Sequence, residues 1–179
     1  GEEEEEEEER EEGNIQPLWD SEARAAGYDR TLQVRVDQCM LGGGSVCQLA
    51  RLRLMLACQR CQTVQEVHLR RGEERGGDCA KCSRPLAANI RPDILHDANP
   101  SGGFVDLSGC EISQVLPVDC WVACEDCGRE TLFRDLRPSS RRDASCLGCY
   151  NPMVFGYGGI RLVQPQGVRV KGAAAGAAG

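Results

Sequence analysis

No stretch of this sequence approaches the roughly 18 consecutive apolar residues that a membrane-spanning helix requires, and nothing at its start resembles a secretory signal. We therefore expect no membrane contact and an intracellular setting, cytoplasm or nucleus. Only two histidines, His68 and His96, are on hand as general bases near neutral pH, and there is no Ser-His-acid grouping, phosphate loop or HExxH pattern. The expectation is a protein that is not an enzyme and has no small-molecule substrate. Sustained helical periodicity with caps is also missing, so little helix is expected. Aromatics are few: two Trp, three Tyr and three Phe. Lysine is rarer still, with Lys81 and Lys171 the only lysines among 21 basic residues. Such a bias toward Arg follows coding composition, and the Arg count alone is no nucleic-acid signal. A first residue that is Gly rather than Met points to a piece of a longer protein.

Charge of one sign is confined to one end. Residues 1–12 hold ten Glu against one Arg, whereas residues 13–179 hold 18 acids and 20 bases, so the formal net charge of −7 belongs to a tail. Such a like-charge run repels itself and buries nothing, which reads as disorder or as a lure for a basic partner. Residues 172–179 contain only Gly and Ala, the start of a linker. The organisation expected is an acidic tail and lead-in over 1–30, two folded units over 31–97 and 98–164, and a linker over 165–179.

Against this background the 12 cysteines stand out. Eight form four CxxC pairs: Cys58 with Cys61, Cys79 with Cys82, Cys124 with Cys127, and Cys146 with Cys149. The gaps between paired motifs are 17 and 18 residues, the spacing of metal sites built from two knuckles. A CxxC turn aims two thiolates at one point, and two such turns complete a tetrahedron around an ion without geometric preference of its own. The cofactor expected is zinc, two ions; iron satisfies the same ligand chemistry. A disulfide scaffold is the competing reading of so many cysteines, but four CxxC pairs and no secretory segment speak against it. A site with four thiolates has no open position for water or substrate and is structural.

The two quartets are copies. Ala57-Cys58-Gln59-Arg60-Cys61 matches Ala123-Cys124-Glu125-Asp126-Cys127 at an offset of 66, and Cys79 to Leu86 matches Cys146 to Met153 at an offset of 67. Period-2 alternation surrounds both copies: Leu52, Leu54 and Leu56 face away from Arg51 and Arg53, and Val118, Cys120 and Val122 lead into the later pair. Leu86, Ala88 and Ile90 lead out of one copy, and Met153, Phe155 and Tyr157 out of the other. Further strands are expected at Leu32, Val34 and Val36 and at Phe104 to Leu107, the latter after the breaker-rich run Asn99 to Gly103. The fold class expected is mainly β, two duplicated zinc-ribbon-like units with flanking strands and little helix.

Other residues carry weaker signals. Cys39, Cys47, Cys110 and Cys120 read as buried small apolar groups, or as a third metal site. Arg60, Lys81, Arg84 and Arg129 flank the knuckles as candidate partners for the sulfurs. Arg134, Arg137, Arg141 and Arg142 make the most basic patch, in a loop between knuckles, and are the candidate phosphate contacts of a nucleic-acid binding protein, RNA above all; Arg70 to Asp78 is the matching loop of the first copy. Trp121, Phe133, Tyr150, Phe155 and Tyr157 are expected in the core rather than as a stacking platform. His68 shares a solvated face with Glu66, and His96 is expected in a structural hydrogen bond.

Between the quartets run Arg91-Pro92-Asp93-Ile94-Leu95-His96, Gly103-Phe104-Val105-Asp106-Leu107-Ser108-Gly109-Cys110 and Leu116-Pro117. These segments in this setting resemble the region preceding the CHY-type zinc finger in larger CHY zinc finger proteins, over about residues 30 to 163. The finger itself, dense in Cys and His, is missing here. The resemblance implies zinc binding by the eight paired cysteines, and the function expected is a protein-interaction or scaffolding part of a larger protein of that kind, with an unidentified protein partner. A substrate-receptor part of a ubiquitin ligase is a further alternative, attached to no residue of this chain.

Overall fold

The computed structural model describes residues 27–96 and 98–165. The acidic run 1–12, the Gly/Ala stretch 172–179 and Lys171 lie outside them. Alternation becomes strand: among the described residues there are fourteen strands and no helix. In chain order they are β1 (Arg30–Asp37), β2 (Met40–Gly42), β3 (Gly44–Cys58), β4 (Val64–Leu69), β5 (Arg75–Asp78), β6 (Pro85–Pro92), β7 (Ile94–Leu95), β8 (Ser101–Ser108), β9 (Cys110–Val115), β10 (Val118–Cys124), β11 (Glu130–Leu136), β12 (Ser140–Ser145), β13 (Pro152–Tyr157) and β14 (Gly159–Val163). No helix among the described residues is long and apolar enough to cross a membrane.

Three antiparallel sheets result. The central one runs β11-β10-β3-β4, a second β14-β1-β8-β6-β5, and a third β12-β13-β2. β3 is the spine. Its first half pairs with β10 and β7, its second half with β4 and β9. Leu52, Leu54 and Leu56 of β3 are at most 2% exposed, each contributing about 1.5–3 kcal/mol of burial. The intervening arginines are held at the rim, where Arg51 Nε lies 3.0 Å from Asp119 and Arg53 Nε donates to the Pro117 carbonyl at 2.9 Å.

The duplication seen in the sequence is present as matching registers. Leu54 faces Val67 as Cys120 faces Phe133, and Asp78 faces Pro85 as Ser145 faces Pro152. Pairing between equivalent strands, β3 with β10 and β1 with β8, joins the repeats. A reciprocal contact joins them again. The N–H of Gln59, after Cys58, donates to the Gly109 carbonyl at 3.0 Å, and the N–H of Glu125, after Cys124, donates to the Gly43 carbonyl at 3.1 Å. Both glycines are left-handed, at φ 71° and 68°. A Cβ on Gly109 would meet the Pro85 carbonyl oxygen at 2.5 Å and one on Gly43 the Pro152 oxygen at 2.1 Å, so each repeat lends the other a turn that only glycine can make.

Two sequence expectations change. The run Asn99 to Gly103 is only partly a break: Ser101, Gly102 and Gly103 belong to β8. Glycine is needed there for close approach, since a Cβ on Gly102 would lie 3.1 Å from Leu49 and one on Gly103 2.2 Å from the Arg91 carbonyl oxygen. The loops between knuckles are largely strand as well, because β5 and β12 pair with β6 and β13 and override the poor local propensity of Gly76-Gly77 and Arg141-Arg142.

The segments between the quartets form a polar lock. Asp106, 1% exposed, accepts from Thr31 at 2.7 Å, from Asn89 at 3.3 Å, and from both Nε and Nη2 of Arg91 at 2.8 Å. The Arg91 guanidinium also lies 5.4 Å from the Phe104 ring centroid. Asp93 caps Ile94 N–H at 2.8 Å and His96 Nδ1 accepts from Ala98 N–H at 3.2 Å.

Removing one partner of such a buried pair strands the other charge. Arg91→Ala is expected to cost about 3–5 kcal/mol in urea unfolding of the metal-loaded protein, and Arg91→Lys to recover only part because the bidentate fork is lost. Gly109→Ala should cost about 1–3 kcal/mol in the same measurement, with an equal loss for Gly43→Ala if the two turns are equivalent.

Candidate metal centres

Each CxxC motif folds into the same turn. Gln62, Ser83, Gly128 and Tyr150, which follow the second cysteines, all have positive φ between 59° and 72°. Their N–H groups donate to the carbonyls of Cys58, Cys79, Cys124 and Cys146 at 2.8–2.9 Å. In return the N–H groups of these cysteines donate to the carbonyls of Thr63, Arg84, Arg129 and Asn151 at 2.8–3.0 Å. Four tetrapeptides that have only their cysteines in common thus reach one geometry, and it turns both sulfurs of each pair to one side.

The turns meet in pairs. Cys58, Cys61, Cys79 and Cys82 form one cluster and Cys124, Cys127, Cys146 and Cys149 the other, with all sulfurs of a cluster within 4.8 Å of one another. The shortest Sγ···Sγ distances are 3.4 Å for Cys61–Cys79 and Cys127–Cys146, and 3.6 Å for Cys58–Cys82 and Cys124–Cys149. A disulfide needs about 2.05 Å, and none of the described cysteines is in a disulfide. Four sulfurs at about 2.3 Å from a central ion lie about 3.8 Å apart in a tetrahedron, so both clusters fit a tetrahedral metal ion. The first cluster joins a hairpin of the central sheet (β3-β4) to one of the five-stranded sheet (β5-β6). The second joins β10-β11 to β12-β13 of the third sheet.

Backbone dipoles prepare the sulfurs for charge. Cys58 and Cys124 each receive two N–H groups from within the turn and are held below the usual thiol value. Cys61 falls to about 6 because the Thr63 hydroxyl and N–H stabilise its thiolate, and Cys146 to about 6 through the N–H groups of Cys149 and Gly148. At Cys82 and Cys149 the N–H of Arg84 and of Asn151 pulls the same way, but desolvation and the neighbouring sulfurs outweigh it and push them up to about 11 and about 12. Four thiols this close do not all ionise by themselves; a divalent cation supplies what is missing. The second cluster is more open, with Cys127 and Cys149 exposed.

The expectation that side chains of Arg60, Lys81, Arg84 and Arg129 serve the sulfurs is not met. Backbone N–H groups, those of Arg60, Arg84 and Arg129 included, make these hydrogen bonds, and the Arg129 guanidinium instead donates to the Leu147 carbonyl at 3.4 Å.

Cys39, Cys47, Cys110 and Cys120 do not form one four-sulfur group among the described residues. Cys110 is fully buried beside Cys58 in the β3-β9 register, donates toward the Ala87 carbonyl at 3.6 Å, and is pushed up to about 11 by burial. Cys47, hydrogen-bonded to Cys39 and buried near Cys120, is raised far above the thiol range, as is Cys120 by burial. His68 pairs with Glu66 at 2.8 Å on the surface. Arg134, Arg137, Arg141 and Arg142 are all exposed on β11, β12 and their connection, with Arg141 3.8 Å from Asp143. Of the five aromatics expected inside, Phe133, Phe155 and Tyr157 are; Trp121 and Tyr150 are exposed at 39% and 79%, because Trp121 points to the outer face of the central sheet and Tyr150 occupies a left-handed turn tip.

No family model matches this chain. It is 30% identical over 102 residues to the uncharacterized protein C18H10.09 of Schizosaccharomyces pombe, a match that covers 56% of this chain and 20% of that relative, so the chain spans about a fifth of the curated protein it matches. Its fold is similar to the crystal structure of C1orf123, with a TM-score of 0.57 at 11% identity over 75% of this chain and 99% of that one.

Proposed function

We propose that this chain is a structural two-zinc module, a protein-interaction or scaffolding part of a larger CHY-type zinc finger protein. What carries the reading is the pair of closed four-sulfur clusters: every coordination position of a tetrahedral ion is taken by protein, which leaves stability and shape as the metal's contribution. Zinc suits the site because it needs no ligand field and no redox partner. The segments that carry the CHY resemblance support a structural role, since Arg91, Phe104 and Asp106 are spent on a buried lock. Binding free energy of about 10–16 kcal/mol per structural ion in small peptides exceeds or equals the stability of a typical domain.

Elemental analysis of protein purified without added metal should find two zinc ions per chain. Alongside it, a thiol reagent should find Cys39 reactive in the native protein and all 12 cysteines after chelation and denaturation. Iron, or fewer than two ions with oxidised thiols, would remove the reading. Cys58→Ser should abolish cooperative unfolding of the first repeat.

Metal release should also depend on pH and on site. A thiol held near 6, as Cys61 and Cys146 are, contributes fully above its unperturbed value and loses its contribution as pH falls through the lowered one. Protons compete with a metal ion for all eight thiolates, so a colorimetric chelator assay should detect ions released as the pH is lowered, the more exposed second cluster releasing first.

A further inference from the structure

Four cysteines stand outside the two clusters, and two of them touch. Cys39 lies on the connection between β1 and β2, half-buried, and Cys47 lies on β3, 2% exposed. The Cys47 thiol is hydrogen-bonded to Cys39, and that bond together with burial raises Cys47 far above the thiol range. Cys47 therefore keeps its proton and donates it, and the Cys39 sulfur accepts. Both backbones are held in place. Before Cys39 the Asp37 carbonyl accepts from Gly158 N–H at 2.8 Å, and after it Met40 is paired with Gly156 of β13. Cys47 is paired with Val122 of β10 and Leu95 of β7. Cys120, 1% exposed, lies near both without making the same contact. It faces Leu49 where Cys47 faces Val122. Cys47 and Cys120 are thus diagonal neighbours, with Cα atoms about 7–8 Å apart, past the span that a disulfide bridges without moving the backbone.

We propose that Cys39 and Cys47 are an oxidation site, where a hydroperoxide converts the touching thiols into a reversible disulfide without using any cluster cysteine. Cys39 is the attacking group, because solvent reaches its sulfur and a neighbouring thiol is aimed at it as a donor. Its thiolate takes one oxygen of the peroxide. The O–O bond breaks, the other oxygen leaves as water with a proton from solvent, and Cys39 becomes a sulfenic acid. The Cys47 sulfur then attacks the Cys39 sulfur: the S–S bond forms, the S–O bond breaks, and the hydroxyl leaves as water with the Cys47 proton. Two thiols have lost two electrons and two protons, and one hydrogen peroxide has become two waters. A resolving thiol already in contact completes this step before Cys39 goes on to the irreversible sulfinic acid. The new bond closes a ring around Gly43, whose carbonyl accepts from Glu125 N–H at 3.1 Å and from Asn151 Nδ2 at 3.4 Å. Oxidation therefore ties together both legs of the turn on which the second metal cluster rests.

Trypsin cleavage after Arg35 and Arg51 releases residues 36–51, which hold Cys39 and Cys47 and no other cysteine. The full chain as purified, freed of reductant, is treated with one equivalent of hydrogen peroxide, alkylated in denaturant and digested. The segment should then be lighter by two hydrogen atoms and closed to alkylation, and dithiothreitol should restore both thiols. Bound metal, counted before and after, should not change. Oxygen added at Met40 is told apart by its mass. Cys39→Ser should abolish the response, and Cys47→Ser should leave Cys39 as a sulfenic acid that dimedone labels. Should Cys47→Ser bind less metal than the unaltered chain, the mapping of the unaltered chain decides alone. A segment that still takes two alkyl groups after peroxide overturns the proposal. So does Cys39 found linked to Cys120 or to a cluster cysteine, and so does metal that leaves before the segment closes.

Discussion

Each cysteine cluster takes two sulfurs from a hairpin of the central sheet and two from a hairpin of a flanking sheet. The stacking of three sheets on one another therefore depends on eight sulfurs, placed by four copies of one backbone turn. A single sheet face packed on aliphatic side chains tolerates sliding, because dispersion and burial are non-directional. Directed bonds from the two sulfur clusters to a metal ion, at both ends of the central sheet, would not. The leucines of β3 supply the burial, and the clusters fix where that burial is spent.

Duplication gave the molecule more than two copies of a site. The first knuckle of each repeat rests on a left-handed glycine turn of the other, Gln59 on Gly109 and Glu125 on Gly43, so neither cluster is assembled from its own repeat alone. The copies have diverged where this cross-support is absent. Aromatic side chains fill the second repeat, and the same positions in the first are aliphatic or Ala.

The parts legible in sequence are those encoded locally. Two residues between cysteines suffice to define a knuckle, the gap between knuckles defines the quartet, and alternation of Leu with Arg defines β3. What the sequence hides is set by distant partners. Gly76-Gly77 and Arg141-Arg142 read as loop until β6 and β13 supply their ladders. Gly102 and Gly103 read as breakers until Leu49 and the Arg91 carbonyl come close enough to forbid a side chain. The arginines beside the knuckles invite an electrostatic role by adjacency, yet N–H groups of the turn are already aimed at the sulfurs, at no cost in side-chain entropy. Trp121 illustrates the opposite error: alternation assigns it to a strand correctly but is silent about which face of the central sheet is covered.

With the paired cysteines turned onto one another in their clusters and the Arg91–Asp106 segment committed to the lock, recognition of a partner under the scaffolding reading falls to the surface. The apolar side chains left there are not scattered evenly. Trp121 and Ile94 flank Gln48 in one row across β10, β3 and β7, and Leu147 and Tyr150, 72% and 79% exposed, crown the last knuckle. A knuckle tip is held by two backbone hydrogen bonds and two ligand sulfurs, so side chains on it are presented with little freedom left to lose on binding. A closed metal site can in this way shape a contact surface without touching the partner.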